Sequence, residues 1–168
     1  MSTAFLALGS NLGDRRGFLV QALAALGELP ATRVVATGKI YETAPVGPQD
    51  QGAFLNTVAQ VETRLTPREL LSAGHAIEVR LGRRSPEERR KWGPREVDVD
   101  ILLFGACAFS VADFTLPHPL MAERWFVLKP LADIAPNLVP PGWDQSVTQT
   151  LTQLEKADPA CKGKTHVA

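Results

Sequence analysis

Residues 97–104 of this chain read Val-Asp-Val-Asp-Ile-Leu-Leu-Phe, an apolar run that carries two carboxylates. The run predicts a β-strand, in which successive side chains point to opposite faces. Asp98 and Asp100 then share one face, separated by roughly 6.6 Å of strand rise, while Val97, Val99 and Ile101 share the other. The second half of the run is apolar on both faces, which predicts a central position in its sheet.

The segment directly before this strand, residues 83–95, is basic. Two acidic residues, Glu87 and Glu88, stand against six basic ones, a net charge of +4: Arg83, Arg84, Arg89, Arg90, Lys91 and Arg95. Paired carboxylates suit magnesium, which also accepts substrate phosphates, and guanidinium groups bind phosphate. The combination predicts a site for Mg²⁺ and a polyphosphate, although either feature alone is also compatible with an ordinary solvated surface.

Outward from this strand, hydrophobic periodicity and turn residues predict the order βαββαβ. The predicted elements are a central strand at 4–8, a helix capped by Asp14, strands at 33–41 and 54–63, a helix begun by Thr66-Pro67-Arg68-Glu69, and the Asp98/Asp100 strand. Segment 42–53, rich in proline and glycine, is predicted to be a long loop. This order indicates an α+β, ferredoxin-like core with an antiparallel sheet and both helices on one face. We expect additional C-terminal helices at 124–131 and 146–154, after a turn at 116–119.

Length and composition indicate one domain, residues 1–154, followed by a polar C-terminal tail at 155–168 that we expect to be frayed. Lysine and arginine balance aspartate and glutamate at 18 each, so neither nucleic acid nor membrane is an expected partner. Cys107 and Cys161 show no metal or redox spacing. No signal segment is evident, and we expect a cytoplasmic protein.

Six ordered motifs make the chain resemble a known family. They are Gly9-Ser10-Asn11-Leu12-Gly13; residues 41–51, Tyr-Glu-Thr-Ala-Pro-Val-Gly-Pro-Gln-Asp-Gln; Phe54-Leu55-Asn56; Glu78 with Gly82-Arg83; residues 92–105, from Trp92-Gly93-Pro94-Arg95 to Gly105; and Pro117-His118-Pro119 through Leu128. In this order they resemble 6-hydroxymethyl-7,8-dihydropterin pyrophosphokinases, enzymes of folate biosynthesis. The resemblance covers roughly residues 1–150.

The resemblance implies transfer of pyrophosphate from ATP to the hydroxymethyl group of a reduced pterin, with release of AMP. We expect a monomer that acts on these small molecules. It implies that Asp98 and Asp100 hold two magnesium ions and that Arg83 and Arg95 also act in catalysis. The implied ATP-binding residues are Glu78, Arg83, Trp92, Arg95, Ile101, His118 and Arg124. The implied pterin-binding residues are Thr43, Ala44, Val46, Phe54, Asn56 and Phe126.

Two other classes of protein are compatible with parts of this pattern. A ferredoxin-like nucleic-acid-binding module would use the basic loop for phosphates and Phe54 and Phe126 for base stacking. Zero net charge and the lack of an aromatic RNA-binding strand argue against it. A palm-like nucleotidyltransferase would also place paired aspartates on a sheet, but it would release pyrophosphate instead of AMP.

Overall fold

The computed structural model describes residues 1–48, 50–83 and 93–165, which form eight strands and four α-helices. In chain order they are β1 (Ser2–Ser10), α1 (Arg15–Gly27), β2 (Thr32–Thr37), β3 (Tyr41–Thr43), β4 (Phe54–Thr63), α2 (Pro67–Arg80), β5 (Asp98–Phe104), β6 (Phe109–Val111), β7 (Phe114–Leu116), α3 (Trp125–Ile134), α4 (Val147–Ala157) and β8 (Lys164–Thr165). Among these described helices, none is long and apolar enough to cross a membrane.

Capping side chains fix where three of the helices begin. Asp14 accepts a hydrogen bond from the Gly17 amide at 2.9 Å and caps α1, as predicted. Thr66 and Glu69 form the predicted reciprocal capping box at α2, and Ser146 and Gln149 form another at α4. Each box satisfies amide groups that a helix start would otherwise leave without partners.

The main sheet has the strand order β5-β1-β4-β3-β8, and β2 pairs with the other half of the β4 edge that β3 occupies. Its pairs are antiparallel. The path β5-β1-β4-β2 reproduces the predicted ferredoxin-like core. Helices α1 and α2 share one hydrophobic cluster with one face of the sheet, while α3 and α4 cover the other face. The predicted fold class is confirmed.

The strand predicted at 33–41 is two strands, because Gly38 interrupts it. The Gly38 amide donates to the Val58 carbonyl at 2.8 Å, and a Cβ at Gly38 would collide with the carbonyl oxygen of Pro130. The chain leaves β4 there and returns as β3, so Glu42 and Thr43, predicted to begin a long loop, lie in a strand instead.

Two further expectations were wrong. Strand β5 lies at the end of the sheet, not in its centre; its outer edge is covered after β7, where the His118 amide donates to the Leu102 carbonyl at 2.9 Å. The tail predicted to be frayed from Glu155 continues α4 to Ala157 and then forms β8, which pairs with β3. The hairpin of β6 and β7 was not predicted.

Candidate active site

A cleft opens on the α3 side of the sheet, and the small residues Ala7 and Gly9 of β1 form its floor. Across β1, Ala7 pairs with Asp100 and Gly9 with Asp98, while on the other side Gly9 pairs with Asn56. The cleft holds about 750 Å³ of space, part of it open to solvent. The cleft has two halves that meet over this floor. The half beside β5 carries acidic and basic side chains, and the half beside β4 is apolar and carries an amide side chain.

Asp98 is held between two arginines. Its Oδ1 lies 2.7 Å from Nη1 of Arg83, and its Oδ2 lies 2.7 Å from Nη1 of Arg95. Arg83 also forms an ion pair with Glu78, which is buried and accepts the Val99 amide at 2.7 Å. These contacts fix both guanidinium groups before any ligand arrives, so no side-chain entropy is lost in positioning them.

Arg83 carries a buried polar atom that has no hydrogen-bond partner among the described residues. This atom is Nε, and the side chain of Arg83 is 13% exposed. A buried donor without a partner is costly, so it indicates that an acceptor is supplied from elsewhere. A phosphate oxygen is the acceptor that guanidinium groups bind best.

Asp100 lies two residues further along β5 on the same face as Asp98 and is half-buried. Burial, and then the neighbouring charge of Asp98, raise the pKa of Asp100 to about 7. Arg124, Arg83 and Arg95 oppose this increase without cancelling it. Two carboxylates in one cleft therefore retain an electrostatic cost that a bound cation would relieve.

Asn11 fixes the backbone of Arg95 and joins it to the opposite loop. The Arg95 amide donates to Asn11 Oδ1 at 2.9 Å, and the Asn11 amide donates to the Arg95 carbonyl at 3.2 Å. Asn11 Nδ2 in turn donates to Gln51 Oε1 at 2.9 Å and to the Gly52 carbonyl at 3.2 Å. A single buried amide thus connects the loops that approach the cleft from its two halves.

His118 and Arg124 close the cleft from the segment before α3. The Leu120 amide donates to His118 Nδ1 at 3.2 Å, which leaves Nε2–H as the donor of the neutral ring. Burial and then the Arg124 charge lower the pKa of His118, so the ring is neutral at pH 7. Both residues line the cleft with Asp98 and Asp100.

The other half of the cleft offers aromatic faces and an amide. Phe54 and Phe126 line it, with the guanidinium of Arg95 6.0 Å from the Phe54 ring and that of Arg124 5.7 Å from the Phe126 ring. Buried Asn56 donates from Nδ2 to Thr43 Oγ1 at 2.9 Å. Aromatic surfaces beside an oriented amide are the groups that a flat, hydrogen-bonding heterocycle requires.

Comparison with known proteins identifies the family of this chain. Residues 5–136 match the family described as 7,8-dihydro-6-hydroxymethylpterin-pyrophosphokinase, HPPK. The chain belongs to the HPPK family. A 2-amino-4-hydroxy-6-hydroxymethyldihydropteridine pyrophosphokinase of Methylorubrum extorquens is 43% identical over 155 residues, 92% of this chain and 95% of the relative. The Bacillus subtilis protein of that name is 47% identical over 131 residues, 78% of this chain and 77% of the relative.

Solved structures of HPPK-DHPS proteins share the fold. The wild-type Plasmodium falciparum HPPK-DHPS with pteroate matches with a TM-score of 0.73 at 14% identity. The match covers 95% of this chain but 44% of that one, so the chain spans less than half of the larger protein. At this identity the likeness concerns the fold alone, and it agrees with the predicted ferredoxin-like class.

The HPPK cleft brings together most of the residues that the sequence singled out. Its lining includes the predicted pterin residues Thr43, Ala44, Val46, Phe54, Asn56 and Phe126, and the predicted phosphate and metal residues Arg95, Asp98, Asp100, His118 and Arg124. Their proposed roles stay predictions, because proximity does not identify a ligand. Trp92 and the other loop residues at 84–92 lie outside the described part of the chain.

Three predicted ATP contacts, Glu78, Arg83 and Ile101, are not among the described residues that line the cleft. Glu78 and Arg83 reach it through the ion pair of Arg83 with Asp98. The side chain of Ile101 is buried with α1 and α2 on the opposite face of β5, so any contact with a nucleotide would come from its backbone. Strand alternation alone places Ile101 on that face.

Sequence reasoning missed the floor of the HPPK cleft and the bridging role of Asn11. The alternation of Ala7 and Gly9 along β1 was the available signal, since two small residues on one strand face leave room above them. A Cβ at Gly9 would lie 2.9 Å from Asn56 Oδ1, so glycine is required for that amide to stay in place. The only local feature at Asn11 is a turn motif, which does not indicate its distant partners.

The donor set fits magnesium. Among the described residues there is no group of three or more His, Cys, Asp or Glu side chains that could enclose a metal ion. Mg²⁺ does not require one, because it binds through one or two carboxylates, waters and substrate phosphates. Asp98 and Asp100 supply two carboxylates on one face, and the raised pKa of Asp100 shows that negative charge there lacks full compensation.

Proposed function

We propose that this protein transfers the pyrophosphoryl group of ATP to the hydroxymethyl group of 6-hydroxymethyl-7,8-dihydropterin, the activity named for its family. The observation that carries the proposal is the juxtaposition of two half-sites over Ala7 and Gly9. The half on β5 offers carboxylates and guanidinium groups, and the half on β4 offers aromatic faces and an amide. Few substrate pairs other than a nucleotide and a flat heterocycle would use both.

In the proposed reaction the hydroxymethyl oxygen attacks the β-phosphorus of ATP. An O–P bond forms there, the bond from that phosphorus to the oxygen bridging the α-phosphorus breaks, and AMP leaves with the bridging oxygen while the hydroxyl proton is released. Such transfers depend on alignment and charge neutralisation more than on covalent help from the protein. The site therefore has to position two substrates in line.

We assign the positioning to named side chains. Arg83 and Arg95 bind the β- and γ-phosphates, supported by their fixed geometry on Asp98 and by the buried Nε of Arg83, for which the described residues supply no acceptor. His118 and Arg124, which line the cleft with Asp98 and Asp100, bind further phosphate oxygens. The pterin lies between Phe54 and Phe126, and Asn56 bonds its polar edge.

Asp98 and Asp100 are proposed to hold two Mg²⁺ ions, which when bound would neutralise the triphosphate charge and stabilise the transition state. Arg83 and Arg95 then serve two purposes, because they hold Asp98 in place and face the phosphates. The expected monomeric state and cytoplasmic location stay predictions.

The test is the identity of the nucleotide product. The protein is incubated with ATP, Mg²⁺ and 6-hydroxymethyl-7,8-dihydropterin, and the nucleotides are separated by chromatography. The proposal predicts AMP in equal amount with a pterin diphosphate, and none in EDTA. Release of pyrophosphate would favour the nucleotidyltransferase alternative, and absence of pterin-dependent turnover would refute the proposal.

A further inference from the structure

Residues 158–165, which we call the C-terminal latch, pack against β3 and against Trp125 at the start of α3. Helix α4 ends at Ala157, and Asp158 accepts the Ala160 amide at 3.1 Å, which stabilises a short 3-10 turn at Pro159–Cys161. The chain then returns along β3, where Lys164 pairs with Glu42. The latch therefore adds a strand to the sheet edge that ends at the cleft.

The latch touches the pterin half of the cleft from behind. Thr43 lies next to Glu42 in β3, and its Oγ1 accepts the hydrogen bond that orients Asn56. Trp125 begins α3 directly before Phe126, which lines the cleft. Thr43 and Phe126, which line the pterin half of the cleft, thus each follow directly in sequence a residue that contacts the latch.

Gly163 is the point of closest approach. A Cβ at this position would collide with the Glu42 carbonyl oxygen and would lie 2.5 Å from Thr43 Cγ2 and 3.0 Å from Trp125 Cζ3. Real Cβ atoms do not occupy such positions, and the obstacles include backbone, so the latch or β3 would have to move. Only glycine allows the latch to pack against β3 and Trp125 at once.

A second set of contacts holds the latch to α3. The indole N–H of Trp125 donates to Glu155 Oε1 at 2.7 Å, and Lys162 Nζ lies 3.3 Å from Glu155 Oε2. The rings of Trp125 and Tyr41 meet edge to face, with centroids 5.4 Å apart. Glu155 therefore connects the start of α3 with the latch, and Tyr41 connects it with β3.

From these contacts we propose that the C-terminal latch is a positioning element for pterin binding. The latch keeps Thr43, and Asn56 which is hydrogen-bonded to Thr43, at a fixed distance from Phe126. Among the described residues, the latch makes no contact with the Asp98 half of the cleft. This inference rests on the proposed function, since it assigns the pterin to the β4 half. It makes residues 158–165 part of substrate recognition although they lie outside the cleft.

The principal test is Gly163→Ala in the full chain, compared with Gly27→Ala in α1. At Gly27 a Cβ would meet nothing closer than Val34 Cγ2 at 3.9 Å, an ordinary contact. In Gly163→Ala we expect the KM for 6-hydroxymethyl-7,8-dihydropterin to increase about tenfold, corresponding to about 1.4 kcal/mol, with the KM for ATP changed less than about twofold. Gly27→Ala should leave both values unchanged.

Two substitutions of Glu155 give an independent test should Gly163→Ala fail to fold. Glu155→Ala removes the acceptor of the Trp125 indole and should increase the KM for the pterin about threefold, whereas Glu155→Gln retains an acceptor and should restore it. An unchanged pterin KM in Gly163→Ala, or equal increases for both substrates, would overturn the proposal. If the first variant does not fold, indistinguishable Glu155 variants would overturn it.

Failure of the latch and failure of the proposed function give different results. A wild-type protein that forms no AMP with the pterin refutes the function, whatever the variants do. The latch is then still tested by amide hydrogen exchange at residues 41–44. Exchange there should be faster in Gly163→Ala than in Gly27→Ala. If Gly163→Ala does not fold, exchange should be faster in Glu155→Ala than in Glu155→Gln. Equal exchange rates would overturn the latch even in an active enzyme.

Discussion

Asp100→Asn is expected to stabilise the metal-free protein while it abolishes activity. The cause is the cost of ionising Asp100 in a poorly solvated cleft beside Asp98, which raises its pKa to about 7. Asparagine occupies nearly the same volume without the charge. An active-site carboxylate that lowers stability is the expected consequence of a site prepared for a cation that the metal-free protein lacks.

The magnitude follows from the difference between the usual pKa of 3.8 and about 7. At 1.36 kcal/mol for each pH unit, full ionisation would cost about 4 kcal/mol, an upper limit because the cleft is open to water on one side. We therefore expect Asp100→Asn to increase the free energy of unfolding by about 1–3 kcal/mol at pH 8. For a domain of this size the melting temperature would increase by about 3–10 °C.

The gain should depend on pH in a defined direction. Because the pKa of Asp100 is higher in the folded state, the unfolded chain releases this proton first as pH rises. The wild type therefore loses stability relative to the variant between about pH 4 and pH 7. Above pH 7 the difference is complete, and below pH 4 it vanishes.

Thermal unfolding in EDTA from pH 4 to pH 8 measures this difference directly. Asp113→Asn is the control. Asp113 is exposed and its pKa is lowered by Arg68, so removing its charge should not stabilise the protein. An Asp100→Asn protein that is less stable than the wild type at pH 8, or a difference that does not vary with pH, would refute the reasoning.

Three further substitutions probe the remaining contacts. Asn56→Ala should weaken pterin binding by about 1–3 kcal/mol and leave ATP binding intact, as measured by fluorescence titration; equal affinity would show that the amide does not face the pterin. Gly9→Ala places a Cβ 2.9 Å from Asn56 Oδ1 and should likewise raise the KM for the pterin, about tenfold; a change in the KM for ATP instead would contradict the assigned halves. Glu78→Gln keeps an acceptor for the Val99 amide and removes a buried charge; because burial and then Asp98 raise the pKa of Glu78 to about 7 despite Arg83, the free energy of unfolding at pH 8 should stay unchanged or increase by about 1–2 kcal/mol in chemical denaturation, and a decrease would show that the ion pair with Arg83 outweighs the burial of the charge.

Local chemistry explains which parts of the fold the sequence could predict. The caps at Asp14 and Thr66 and the strand at 54–63 depend on neighbours within a few residues, and each was predicted at its observed place. At the break, Gly38 is itself a local signal, but the close approach of Pro130 that requires glycine there comes from more than ninety positions away. Strand β8 likewise depends on a distant partner, since Glu42 of β3 lies more than 120 positions before Lys164.

The candidate site divides in the same way. The spacing of Asp98 and Asp100 predicted a shared face, and both line the cleft. Family resemblance was needed for Phe54, Asn56 and Phe126, because a buried aromatic or amide carries no local sign of a ligand. The burial of Glu78 was not predictable from its helix, since it results from the Val99 amide and Arg83.

The central claim is that Asp98 and Asp100 hold divalent cations against the phosphates of ATP. Crystals soaked with Mn²⁺ and a nonhydrolysable α,β-methylene analogue of ATP test it through anomalous scattering. The account predicts anomalous peaks within coordination distance of both carboxylates and of the phosphate oxygens, with Arg83 and Arg95 on the same triphosphate. A nucleotide bound with its phosphates elsewhere, or cations that avoid both aspartates, would contradict it.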